Sequence, residues 1–140
     1  MKRKGLIRAA VAAGAALATV AVASPAQASQ DVTVHVLQCP MTYCATAGYG
    51  WFHADPIGST PGDALKACDL DADGYGVKAW LYNRNTGNLI RTASTAGHSS
   101  PYCTGWQTGD LPEQTPVWLK VCKVSSTKAD VCATGAEGWS

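Results

Sequence analysis

The chain has 140 residues, 46% of them hydrophobic and 15% charged, with 11 Lys plus Arg against 10 Asp plus Glu, 14 Gly, 7 Pro, 6 Cys and 5 Trp. That is enough for one domain, and it excludes a disordered chain and a collagen-like one. The first 28 residues hold Lys2, Arg3, Lys4, Arg8 and no acid, so the remainder carries seven basic residues against ten acidic ones, net −3. A chain of that charge lacks the basic face that phosphate binding needs, which argues against nucleic acid as a partner.

In chain order, Met1 to Arg8 is basic, residues 9–23 form an apolar run rich in Ala and Val, and Ala26 and Ala28 put small residues at the two positions a signal peptidase reads. This pattern predicts a cleaved secretory signal over 1–28 and a single disulfide-rich β domain over 29–140. Fifteen helical residues span about 22 Å, short of the roughly 30 Å hydrocarbon core of a bilayer, so the run reads as a leader and not as an anchor. The product is expected to be secreted, extracellular, monomeric and free of the membrane.

Apolar and polar residues alternate through Val32, Val34 and Val36, through Val77, Ala79 and Leu81, and through Val117, Leu119 and Val121. Period two is the strand signal, and turn residues separate these runs. The pattern predicts strands near 32–38, 47–54, 63–69, 76–83, 88–94, 103–107, 117–124 and 129–133, with no sustained helical stripe. An all-β antiparallel sandwich stapled by disulfides follows, with Val34, Val36, Leu65, Val77, Leu81, Leu89, Val117, Leu119 and Val121 inside. The two Gly-Tyr-Gly triplets, at 48–50 and 74–76, read as turn glycines.

Six cysteines, Cys39, Cys44, Cys68, Cys103, Cys122 and Cys132, lie after the leader. An even number in a small exported chain means disulfides, and the absence of a Cys-x-x-Cys pair argues against zinc. Proximity favours Cys39 with Cys44 and Cys122 with Cys132, leaving Cys68 with Cys103, although six cysteines allow 15 connectivities. Cys68, Trp80 about a dozen residues on, and the later Cys122 resemble the core of immunoglobulin-like domains, and 111–118 resembles the turn into their penultimate strand. That resemblance implies a Cys68–Cys122 bridge, Cys103 paired with Cys132, and Trp80 inside the core. It departs at Lys120, where the family has a tyrosine. The leader, the cysteines and the segment Gly97-His98-Ser99-Ser100-Pro101-Tyr102-Cys103 are similar to small Cys-rich β-domain proteins exported by actinobacteria, which implies secretion.

Asp69, Asp71, Asp73 and Gly74 space three carboxylates as a calcium loop does. The twelfth position from Asp69 is Trp80 and not the Glu of an EF-hand, so a turn is the favoured reading, and no metal or other cofactor is expected. There is no Gly-x-Ser-x-Gly or His-Glu-x-x-His, and His98 beside Ser99 and Ser100 reads as a polar turn before Cys103. His35 and His53 read as strand residues. No catalytic residue is therefore assigned, and a small non-catalytic binding or inhibitor protein is expected, with an extracellular protein or polysaccharide as target. Its contact loop is 96–102, with His98 and Tyr102 as anchors and Pro101 and Cys103 as restraints, and the Cys39–Cys44 loop is a second restrained loop. The alternative is a carbohydrate-binding face of Trp80, Tyr82 and Trp118, which alternation turns outward together with Lys78 and Lys120. Trp51 and Trp106 are expected to fill the core whichever surface binds. Buried indoles favour the loop and an exposed row favours sugar. A small hydrolase using His98 and a structural component of the cell surface are the remaining classes.

Overall fold

The computed structural model describes residues 28–140, and the predicted leader, but for its last residue, lies outside them. Nine strands follow in order: β1 (Val32–Gln38), β2 (Ala45–His53), β3 (Ala64–Asp69), β4 (Gly76–Asn83), β5 (Leu89–Ser94), β6 (Tyr102–Cys103), β7 (Pro116–Val124), β8 (Val131–Cys132) and β9 (Ala136–Trp139). The eight predicted strands are all present, β1 and β4 with the predicted ends and the others with shifted ones, and β9 is additional. β6 is two residues long where 103–107 was expected, because pairing beyond Cys103 breaks up. The Thr104 N–H still donates to the Ala67 carbonyl at 2.9 Å, but the Thr104 hydroxyl, not a backbone carbonyl, accepts the Ala67 N–H at 3.2 Å, and only an isolated bridge between Leu65 and Gln107 follows.

All pairings are antiparallel. One sheet has the order β1-β2-β3-β6, and the other has β5-β4-β7, with β8 and β9 sharing the far edge of β7. The neighbours β3–β6 and β4–β7 are the pairs that strands B–E and C–F make in an immunoglobulin-type sandwich. The core between the sheets is aliphatic apart from Phe52: Val32, Val34 and Val36 face Val77, Ala79, Leu81, Val117, Leu119 and Val121, with Leu65 and Ala67 beside them. Leu89, expected inside, is 53% exposed. A register shift between Leu81 and Tyr82 sets it opposite Tyr82, out of step with the inward alternation.

The Gly-Tyr-Gly triplet at 48–50 lies within β2 and is not a turn. A Cβ on Gly48 would stand 2.5 Å from Val77 Cγ2, and one on Gly50 would stand 2.6 Å from Val121 Cγ2, so these glycines let the sheets close on each other. Gly74, at φ +78°, is a turn glycine as predicted. Gly50→Ala should cost about 1–3 kcal/mol by overpacking. Gly105→Ala, where a Cβ meets nothing within 4 Å, should stay within about 0.5 kcal/mol, and urea midpoints compare the two.

The bridges are Cys39–Cys44, Cys68–Cys103 and Cys122–Cys132, the set that proximity favours. Cys68 and Cys122 therefore do not join, and the core expected from the immunoglobulin resemblance is absent although the β3–β6 and β4–β7 pairings are present. The physical reason is alternation. Leu65 and Ala67 face inward on β3, and Leu119 and Val121 on β7, so Cys68 and Cys122 point away from the core. Each meets a cysteine directly opposite on a neighbouring strand, Cys103 on β6 and Cys132 on β8. No bridge crosses the sandwich. Two pin two-residue edge strands that could not persist alone, and one closes the β1–β2 loop. Loops of 5, 10 and 35 residues correspond to about 2, 3 and 4 kcal/mol of lost chain entropy in the unfolded state.

Candidate functional site

All five tryptophans avoid the core. Trp51, Trp80, Trp106, Trp118 and Trp139 are each half-buried. Trp80, expected inside from the immunoglobulin resemblance, lies on the outer face of β4, because the alternation that buries Val77, Ala79 and Leu81 turns Lys78, Trp80 and Tyr82 outward. Lys78 Nζ and Lys120 Nζ stand 5.0 and 5.3 Å from its ring centroid. Each such contact contributes about 0.5–1 kcal/mol at an exposed site.

Tyr82 and Trp118 are register partners across β4–β7, and Glu137 on β9 is the partner of Trp118 on its other side. These three, with Asn83, Arg84 and Gly87, line a shallow groove of about 500 Å³. Arg84 and Glu137 form an ion pair at 2.7 Å across its rim. Gly135 holds the indole of Trp118 from behind, since a Cβ there would stand 2.5 Å from Cε2 and Cζ2. Two ring faces, a guanidinium, a carboxylate and an amide side chain in one open groove suit a ligand that is apolar on its faces and polar at its edges. Trp80 shares the face but not this groove. It lines a neighbouring one with Lys78, Ser94 and Asp130.

The 96–102 loop is anchored at three points. The Thr95 hydroxyl accepts the Val77 N–H at 2.7 Å, the Ser100 hydroxyl donates to the Asp69 carboxylate, and Cys103 is bridged to Cys68. The two proposed anchors are stacked on each other: the His98 and Tyr102 rings lie 3.9 Å apart at 8°. His98 thus pairs with a phenol ring, and Ser100 is held by Asp69. Together with Gly74, Tyr75 and Ser125 the loop lines a groove of about 500 Å³.

The acidic run does not converge. Asp69 is engaged by Ser100, and Asp73 reaches Lys123, a β7 lysine buried at the end of the sandwich. Among the described residues no three His, Cys, Asp or Glu side chains gather at metal-ligand spacing. Lys123 also donates to the Gln38 side chain and lies 4.6 Å from the Tyr75 ring centroid. Burial raises the pKa of Asp73, but the Lys123 hydrogen bond, the Tyr75 N–H at 3.0 Å and the charges of Lys123 and Lys128 outweigh it. They hold the carboxyl below its ordinary value.

Trp51 and Trp106, expected in the core, instead build an aromatic cluster on the outer face of the first sheet. Their rings meet edge to face at 5.0 Å, Lys66 lies 5.0 Å from the Trp106 centroid, and His53 packs against both. His53 is buried there with its Nε2 3.7 Å from Asp31, while His35 stays exposed 5.7 Å from Tyr49. The sequence signal for this cluster is the same alternation, since a β2 that buries Phe52 must turn Trp51 and His53 outward. Arg84 and Glu137 had no such signal while β9 was unseen. Compared with protein-family models, with curated proteins and with solved structures, the chain matches none. Among the described residues no helix is long and apolar enough to cross a membrane.

Proposed function

We propose that residues 29–140 act outside the cell as a small non-catalytic binding domain, exported by the leader that ends at Ala28, and that the bound ligand is a carbohydrate. The three disulfides support an oxidising compartment. One observation carries the choice of ligand: every indole has been kept out of an aliphatic core, and Tyr82 and Trp118 lie side by side on an open sheet face with polar groups at their rim. Pyranose rings have apolar faces and hydroxyl edges, so stacking on the two rings while Asn83, Arg84 and Glu137 take hydroxyls uses every group in the groove. Strands hold all of these side chains but Arg84, which opens the β4–β5 turn and is fixed by Glu137, so little order is lost on docking. The 96–102 loop is the second reading, favoured by its three anchors and the pre-stacked His98 and Tyr102.

The test is a binding screen of the purified protein, disulfides intact, against insoluble polysaccharides and soluble oligosaccharides. Trp118→Ala and Tyr82→Ala should each weaken binding by at least about tenfold with a nearly unchanged melting temperature, and His98→Ala should not. Loss through His98→Ala and Tyr102→Ala instead would transfer the site to the loop.

A further inference from the structure

The face that carries Tyr82 and Trp118 also holds positive charge without a partner. The chain has ten Asp and Glu, yet none lies on β4, β5 or β7. Arg84 is committed to Glu137, Lys123 to Asp73, and Lys128 donates to the Asp73 carbonyl at 2.9 Å. Lys78 and Lys120 make no ion pair and no hydrogen bond among the described residues. Asp130 lines the groove beside Lys78 without pairing to it. Both ammonium groups are gathered instead on one ring, Trp80, from two adjacent strands: Lys120 is its register partner and Lys78 precedes it by two residues on the same face. Two like charges held at one indole repel each other, and an anion placed between them removes that repulsion while keeping both contacts with the protein.

We propose that the ligand of this face is an acidic glycan, whose carboxylate sits between Lys78 and Lys120 while a neighbouring sugar ring lies on Tyr82 and Trp118. The proposal rests on the carbohydrate reading above and names the class within it. Charge complementarity carries it: on a chain that is net acidic after the leader, β4, β5 and β7 bear no acid, and of the two acids beside the grooves Glu137 is paired with Arg84 and Asp130 pairs with neither lysine. Lys78 and Tyr82 are four residues apart on β4, about 13 Å, so the ligand that reaches both is an oligomer.

The experiment measures affinity for four probes on the full purified protein: oligogalacturonate, its methyl ester, a cello-oligosaccharide and an oligothymidylate. The expected result is that oligogalacturonate binds at least tenfold more tightly than its methyl ester. Salt should weaken this binding, and Lys78→Ala and Lys120→Ala should each weaken it by about fivefold or more and lessen its salt dependence, while Lys78→Arg and Lys120→Arg retain binding. Equal affinity for the acid, the ester and the neutral oligosaccharide, still lost in Trp118→Ala, overturns the acidic-glycan inference and leaves the carbohydrate reading standing. Binding of no glycan overturns both. Binding of oligothymidylate alone, lost with the same lysines, overturns both in favour of a single-stranded nucleic acid.

Discussion

Asp73→Ala should destabilise the protein by about 3–5 kcal/mol, the cost of leaving one partner of a buried ion pair alone. The Lys123 side chain is only 3% exposed and that of Asp73 13%. Without the carboxylate, the ammonium keeps the Gln38 oxygen and the Tyr75 ring but no negative charge. Asp73→Ala combined with Lys123→Met should recover much of the loss, because no charge then remains to be buried. Acid gives the same pair an independent reading. Asp73 titrates below its ordinary value in the folded protein, so its contribution is fully present above the unfolded pKa, near 4, and is lost as pH falls through the lower folded value. The melting temperature of the parent protein should therefore fall below about pH 4, and that of Asp73→Ala should fall less. A parent and variant that lose stability in parallel down to pH 2 would show that the pair contributes nothing.

That ion pair marks how far the sequence could be read. The alternation that placed Val77, Leu81, Val117, Leu119 and Val121 inside was legible because one apolar face per strand is all a sandwich needs. The same period carried one residue past Cys122 puts Lys123 inward, where composition argues against a lysine. Only the fold reveals that the β3–β4 turn brings Asp73, and the end of β1 brings Gln38, to meet it. The carboxylates of 69–73 were visible as a group, but their partners Ser100 and Lys123 are 31 and 50 residues away from them in the chain. The size and hydrophobicity of Trp51 and Trp106 suggest the core, and the immunoglobulin resemblance suggests it for Trp80, but the strand period decides for Trp51 and Trp80. A half-buried indole on an outer face keeps its N–H near water, whereas inside this aliphatic core it would need a polar partner. The disulfides were legible from proximity, since opposite positions on neighbouring strands bring short-range cysteines together. β9 was not, because four residues with a single charge and a glycine give too short a pattern.

Leu119→Ala should cost about 2–5 kcal/mol, whereas Leu89→Ala should stay within about 0.5 kcal/mol. The two are the same chemical change at opposite extremes of burial, 0% and 53% exposed. Leu119 sits at the middle of β7, flanked in register by Leu81 on β4 and Ala136 on β9, and β7 packs on β1 and β2 across the core. Removing its isobutyl group leaves a hole lined by aliphatic side chains fixed on two sheets. Neither sheet can collapse into that hole, because Gly48 and Gly50 already bring the backbones as close as Val77 and Val121 allow. A cavity that cannot relax places the cost toward the upper end of the range. Urea unfolding with the disulfides intact measures both variants, with the slope expected to match the parent. A Leu119→Ala variant within 1 kcal/mol of the parent would mean that the core centre is elsewhere, and with it the inward alternation of β7 that turns Trp118 out to the candidate groove.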